Sequence, residues 1–293
     1  QSPESQAYSI EVDTTAPTQS TVITKVVDNV TPGLGDVASG AYTNDDTPEI
    51  QGTISDVLAN GEVVAVYRDG VKVGTATVTG TDWSYTDASL ASGETYDYTA
   101  RVEDGAGNRG AISGNYSITV DTSVPTQTTE ITNIIDDVAP QTGPVANDGS
   151  TNDVAPTIEG TISSILTAGE VVAVYRDGVK VGTADVTNTT WRIEDTGLLD
   201  GESYTYTAQV EDVAGNEGSE SNSYAITVDT TAPTQSVAIT SIEDDVAPQE
   251  GMVANGGQTN DTAPLIEGTL SADLETGEEV VILRDGAVIG TAT

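Results

Sequence analysis

Acidic and amide side chains recur at fixed positions along this chain, and they are the residue types best able to do chemistry in it. The first set is Asp13, Asp28, Asn44, Asp45, Asp104 and Asn108. The second is Asp121, Asp136, Asp137, Asn152, Asp153, Asp212 and Asn216, and Asp229 opens a third. Carboxylates crowded to about 4 Å repel by about 4 kcal/mol per pair at an effective dielectric near 20, so such clusters need protons, basic partners or a metal. Basic partners are scarce: 47 Asp and Glu face 9 Lys and Arg, for a formal net charge of -38. Oxygen donors in flexible loops suit calcium, which accepts about six to eight oxygens in loose geometry, better than magnesium. No Asp-x-Asp-x-Asp-Gly loop occurs, so this is not an EF-hand. A plainer reading stands beside the metal: Asp and Asn also begin strands and build turns by accepting backbone N–H bonds. Asp69, Asp177 and Asp285, each followed by Gly, fit that plainer reading best.

Composition removes other roles. Nucleic acid demands a basic stripe to neutralise phosphates, and an anionic membrane surface demands the same. The chain has no His and no Cys, hence no thiol nucleophile, no disulfide, no Ser–His–Asp triad and no ordinary zinc site. Two carboxylates alone can hydrolyse a glycoside, but the acids here recur at intervals rather than gathering for one cleft, so no enzyme is expected. The run Val63 to Tyr67 is the longest fully apolar stretch, far short of a membrane span. The chain opens on Gln, without a signal peptide, and is expected to be part of a longer protein.

Phe is absent, and the low aliphatic content would permit disorder; internal repetition argues otherwise. Val-Asp-Thr recurs around Asp13, Asp121 and Asp229, Thr-Asn-Asp around Asp45, Asp153 and Asp261, and Trp83 recurs as Trp191, always 108 residues apart. Equal spacing without insertions means tandem copies of one unit, each long enough to bury its own core. Within a copy the pattern is that of strands. Tyr96, Tyr98, Ala100 and Val102 alternate with Asp97, Thr99 and Arg101, a period of two with one buried face. Runs near 18–27, 48–55, 62–68, 71–79, 82–88, 95–103 and 112–120 make seven strands, and Asp69-Gly70 marks a two-residue hairpin. The expected fold is all-β: tandem immunoglobulin-like seven-stranded β-sandwiches in a linear rod. Leu90-x-x-Gly93-x-x-Tyr96 and Leu198-x-x-Gly201-x-x-Tyr204 resemble a tyrosine corner. The expected boundaries are 1–13, the last strand of a preceding repeat; 14–121 and 122–229, whole repeats; and 230–293, a truncated repeat of four strands.

Strand direction in such a sandwich brings the acids together at the joints. Asp28, Asn44 and Asp45 fall at the exit end of the first repeat beside the linker residue Asp121, and Asp212 and Asn216 fall at the entry end of the second. Asp136, Asp137, Asn152, Asp153 and Asp229 form the lower half of the next joint; Asp13, Asp104 and Asn108 belong to the one before.

The ordered set Val-Asp-Thr-Thr-Ala-Pro, Asp-Asp-Val-Ala-Pro, Thr-Asn-Asp-x-x-Pro, Arg-Asp-Gly and Asp-x-Ala-Gly-Asn resembles the bacterial Ig-like repeats of giant adhesins exported by type I secretion, closest to the giant non-fimbrial adhesins, with biofilm-associated surface proteins similar. The resemblance covers essentially the whole chain. It implies a secreted, cell-surface protein in which calcium-rigidified repeats form a stalk. That stalk carries a distal binding region toward the host cell, with cell adhesion and virulence as its roles. Its expected partners are calcium ions, neighbouring repeats of the same chain, and a host surface met through regions outside this sequence; nucleic acid and membrane insertion are not expected. Asn29 replaces the second Asp of the doublet in the first copy, so that joint is expected to hold one ion fewer. The alternative is a module that itself binds a glycan or protein.

Overall fold

A computed structural model describes residues 4–275 and 277–292, and the chain divides into a unit of residues 1–229 and a unit of residues 230–293. The first unit holds two repeats built alike. The first repeat runs β1 (Thr21–Asp28), β2 (Gly35–Val37), β3 (Ala41–Thr43), β4 (Glu49–Ile54), β5 (Val63–Arg68), β6 (Val71–Thr75), β7 (Thr77–Thr79), β8 (Asp82–Thr86), β9 (Thr95–Glu103) and β10 (Tyr116–Val120). One sheet has the order β2-β1-β4-β8-β7 and the other β3-β10-β9-β5-β6. The second repeat repeats both sheets with β11 (Thr129–Asp136), β12 (Gly143–Val145), β13 (Gly149–Thr151), β14 (Thr157–Ile162), β15 (Val171–Arg176), β16 (Val179–Thr183), β17 (Asp185–Thr187), β18 (Thr190–Glu194), β19 (Ser203–Glu211) and β20 (Tyr224–Val228). The described residues contain no helix.

Each of the seven expected runs carries a strand, but a repeat has ten because two short strands, β2 and β3, precede β4 and one expected run divides between the sheets. Between β2 and β3 the chain leaves the first sheet, so that β3 runs parallel to β10 in the second. The expected run 71–79 divides at Ala76, whose N–H bonds to the Val64 carbonyl at 2.9 Å; β6 pairs with β5 on one side of the break and β7 with β8 on the other. Asp69 and Gly70 take φ values of 52° and 77°, the left-handed pair that a type I′ hairpin requires. Of the segment 1–13, residues 1–3 lie outside the described residues. The rest carries no strand and leaves Tyr8, Ile10 and Val12 exposed, for want of a paired neighbour.

The two cores are separate and equivalent: Ile50, Val66, Trp83, Tyr98 and Ile118 in the first, Ile158, Val174, Trp191, Tyr206 and Ile226 in the second. Each Trp lies flat across a glycine on the neighbouring strand. A Cβ on Gly160 would sit 2.1 Å from the Glu130 carbonyl and 2.2 Å from the Trp191 ring, so only glycine fits. Polar ties join the sheets. Arg68 and the Tyr98 hydroxyl both donate to the buried Asp87, at 2.7 and 2.8 Å; Arg176 and Tyr206 hold Asp195 in the same way. Burial first, and then the bond to Asp87, push the Tyr98 hydroxyl well above its ordinary range, which keeps it a donor. The Tyr96 hydroxyl accepts the Ala91 N–H at 2.8 Å, and Tyr204 accepts that of Leu199 at 2.9 Å, the backward bond expected of a tyrosine corner.

In the second unit β21 (Val237–Asp244), β22 (Gly251–Met252) and β23 (Leu265–Leu270) form one sheet, and β24 (Val280–Arg284) with β25 (Ala287–Ala292) a hairpin. This is one short strand, β22, more than the four expected. Ile239, Leu265, Leu283 and Val288 are exposed there.

Two measurements check these assignments. Asp195→Ala removes a buried carboxylate that accepts from the half-buried Arg176 and from Tyr206 and should cost about 2 kcal/mol, seen as the loss of about 8 °C or more in one melting transition; Tyr206→Phe should cost only about 1 kcal/mol. Gly160→Ala should destabilise by about 3 kcal/mol in urea titration, whereas Gly114→Ala, with open space around its Cβ position, should change stability by less than about 0.5 kcal/mol.

Candidate functional site

The loop acids sit where strands end, and the backbone shapes each of them. Asp28 closes β1 and is 3% exposed. Its Oδ1 accepts the Val30 N–H at 2.8 Å and its Oδ2 the Thr43 hydroxyl at 2.6 Å. Asp45, wholly buried, accepts from the Thr47 N–H at 2.8 Å and hydroxyl at 3.1 Å, and from the Asn29 N–H at 3.2 Å. The second repeat copies both: Asp136 takes Val138 and Thr151, and Asp153 takes Ala155 and the N–H of the exposed Asp137. These are Asx-type turns, the plainer role weighed above. No ion pair among the described residues reaches Asp28, Asp45, Asp136 or Asp153.

The Asp-x-Ala-Gly-Asn loops close on themselves and on the linker. Asp104 accepts the N–H groups of Ala106 and Asn108 at 2.9 and 2.8 Å and the Asn108 amide at 2.8 Å. The Asn108 amide, with those N–H groups behind it and against a small cost of burial, holds the Asp104 carboxyl below its usual range. The Asn108 amide also reaches the Asp13 carbonyl at 3.1 Å. Asp212 and Asn216 repeat the closure, and Asn216 donates to the carbonyl of the linker residue Asp121 at 2.8 Å. Asp121 in turn bonds through its N–H to the Thr43 carbonyl at 2.9 Å, as Asp229 does to Thr151 at 2.8 Å. Asp13 and Asp121 also accept the N–H two residues on.

The structure therefore brings Asp28, Asn44 and Asp45 of the first repeat, the linker Asp121, and the Asp212–Asn216 loop of the second repeat to one place. Three oxygens from the two repeats converge beside Gly33. The point where a Cβ of Gly33 would lie is 3.2 Å from Asn44 Oδ1, 3.2 Å from Asp28 Oδ2 and 3.3 Å from the Ala214 carbonyl oxygen. Asn44 is 8% exposed, and its Oδ1 is buried with no hydrogen-bond partner, a costly state for an amide oxygen. Its counterpart Asn152 instead turns its amide to the Ala139 carbonyl at 3.0 Å. Among the described residues no group of three or more Asp or Glu side chains is arranged to hold a metal ion. The donor set at Gly33 is a mixed one of amide, carboxylate and backbone carbonyl. An orphaned buried oxygen, a cradle of three oxygens and a purely hard donor set fit a hard cation such as calcium. Among the described residues Asp13, Asp104 and Asn108 meet each other but no second repeat.

Three participants escape a reading based on acid type. Thr43 is one; its signal was present in the Thr-Asn-Asp triplet, which recurs as Thr151 and Thr259. Gly33 and the Ala214 carbonyl are the others; a backbone oxygen leaves no mark in composition, and Gly33 is visible only as a departure from Gln141 and Gln249.

Comparison with known proteins places this geometry in a family. The model of the bacterial Ig-like domain matches residues 21–122 and again 128–230. Exoglucanase B of Cellulomonas fimi is 34% identical over 174 residues; the match covers 57% of this chain and 14% of that protein. Among solved structures, the fibronectin(III)-like modules of Clostridium thermocellum CbhA align over 70% of this chain and 94% of theirs at 19% identity, with a TM-score of 0.41. The Bacteroides ovatus protein SGBP-B, from a mixed-linkage glucan utilization locus, aligns over 80% of this chain and 77% of its own at 14% identity, with a TM-score of 0.22. Two matched repeats, together more than half of the sequence, make this chain a member of the bacterial Ig-like domain family.

Proposed function

We propose that this chain is a calcium-rigidified stalk segment of a large bacterial surface adhesin of the type I-secreted, giant non-fimbrial kind, holding a distal binding region away from the cell. The observation that carries the reading is the orphaned Asn44 Oδ1 converging with Asp28 Oδ2 and the Ala214 carbonyl across two repeats. Calcium accepts backbone and amide oxygens as readily as carboxylates and completes its shell with water, so the lack of a three-carboxylate cluster is compatible with it. Its charge would offset buried acids that have no cationic partner, and one ion touching both repeats would fix their angle. Extracellular calcium at about 100 times the dissociation constant would stabilise an occupied site by about 2.7 kcal/mol. In low-calcium cytoplasm the sites would empty, leaving a looser chain suited to export. Near-identical modules in tandem make a spacer whose length scales with copy number. No catalytic role is proposed.

A second reading, direct binding of a glycan or protein, draws on the exoglucanase relative and on a shallow groove outside the first sheet of each repeat. In the second repeat Thr132, Glu159, Asp185, Thr187 and Arg192 line it. No exposed aromatic platform lies in that groove, which favours the stalk.

The test uses the full chain. Calorimetry should detect calcium binding, and small-angle scattering should show a narrower range of dimensions with millimolar calcium than with excess chelator. Asn44→Ala, which removes an oxygen with no structural bond to lose, should abolish the difference between repeats one and two while leaving both melting transitions in place. No binding heat together with superimposable scattering curves would sink the calcium reading.

A further inference from the structure

The loop after β1 is one place where the repeats depart from one another. Pro32, Pro140 and Pro248 are equivalent, yet the next residue is Gly33 in the first repeat, Gln141 in the second and Gln249 in the third. Gly33 has no left-handed φ, so glycine is not required there by backbone conformation; it is required by space. A Cβ at Gly33 would press on the Ala214 carbonyl at 3.3 Å, and, from the opposite side, a Cβ at Gly215 would lie 3.3 Å from the Gly33 Cα and 3.5 Å from its N. Two glycines from successive repeats thus meet backbone to backbone. Burial records the same contact independently. Ala214 is 5% exposed, whereas its equivalent Ala106, in the loop that meets no preceding repeat among the described residues, is exposed. Gly107, the equivalent of Gly215, has nothing within 4 Å of its Cβ position.

We infer that Gly33 is the specificity-determining residue of the interface between the first and second repeats. It admits the Ala214–Gly215 turn of the following repeat into direct backbone contact, which the glutamine carried at this position by the other repeats would prevent. The partner that fits is a repeat whose Asp-x-Ala-Gly-Asn loop presents small residues at its tip. A glutamine side chain has no room between the Gly33 Cα and the Ala214 carbonyl. Repeats of one fold and nearly one sequence are then not interchangeable in order. The contact is made by protein atoms alone, but it shares Gly33 and the Ala214 carbonyl with the calcium reading, so the measurement in chelator is the arm that separates the two.

The experiment reads interdomain spread in the full chain. The protein has no cysteine, so Val71→Cys and Val179→Cys, at exposed positions of β6 and β16, take a pair of spin labels for distance measurement by electron paramagnetic resonance. Gly33→Gln should broaden the distance distribution by about twofold, toward the mobility expected of repeats without a docked interface, both with calcium and with chelator. Its melting transitions should stay in place, because repeats two and three fold with glutamine there. Gly33→Ala should give an intermediate width, and Gly114→Ala the parent width. A Gly33→Gln distribution equal to the parent in both solutions would overturn the inference. Should Gly33→Gln disturb the first repeat's melting, Gly33→Ala decides in the same way. A parent that broadens on chelation while neither Gly33 variant adds to it supports the calcium reading alone; variants that broaden it in a chain that binds no calcium support the docking contact alone.

Discussion

A carboxylate buried at the end of the first strand, held by a hydroxyl from the opposite sheet, is the interaction on which the remaining geometry depends. Asp28 belongs to β1, in one sheet, and Thr43 to β3, in the other; their hydrogen bond closes the sandwich at that end. The same Asp28 accepts the Val30 N–H and so bends the chain into the loop that carries Gly33. Thr43 also gives its carbonyl to the Asp121 N–H, which sets where the linker leaves the repeat. One buried acid therefore fixes the fold's end, the loop and the exit path together. Asp136 with Thr151, and Asp244 with Thr259, reproduce the pair. In the last case the Thr259 hydroxyl, then the Val246 N–H, lower the carboxyl below its usual range despite its burial cost.

With so few cations the chain divides its acids between two kinds of neutralisation. At the edge of each core the half-buried Arg68 or Arg176 meets a buried Asp directly, and the tyrosine hydroxyl completes the set. Glu103 and Glu211, at the ends of β9 and β19, take Lys72 with Arg109 and Lys180, whereas Asp28, Asp45, Asp136 and Asp153 are satisfied by N–H and hydroxyl donors alone. Such donors meet the hydrogen-bonding demand of a carboxylate but leave its charge in place. Residual charge is tolerable beside water and costly when buried, as it is at Asp28, Asp136 and Asp244 alike.

Much of this was legible in the residues. Period-two alternation in 95–103 and the Asp-Gly hairpin determine strand faces and turn type locally, without knowledge of the rest of the fold. The convergence of Asp28, Asn44, Asp121 and Asn216 followed from strand direction alone, since an even exchange of ends dictates which loops share a joint. The short strands β2 and β3 were not legible, because three residues show no period and their pairing is set by the sheet edges they meet. Nor could spacing tell which oxygens are already satisfied. Asp45 and Asn44 are adjacent and alike in composition, yet the first is saturated by Thr47 and Asn29 while the second has a bare Oδ1.

The unbroken spacing of 108 residues and the replacement of Gly33 in the other copies answer different demands. Cores must be alike if each repeat is to fold by the same cross-sheet ties, so insertions are absent and the buried core keeps its residues apart from Val26, which becomes Ile134. Joints need no such uniformity, because the residues that face another repeat are three loop tips that bear little on the core. Variation can then collect at Gly33, Gln141 and Gln249 without cost to folding. A backbone-to-backbone contact can pack closely only when both partners lack side chains at the point of approach, as Gly33 and Gly215 do. Length in such an array is set by how many repeats there are. Stiffness is set joint by joint, by what stands at the one position where the next loop must land.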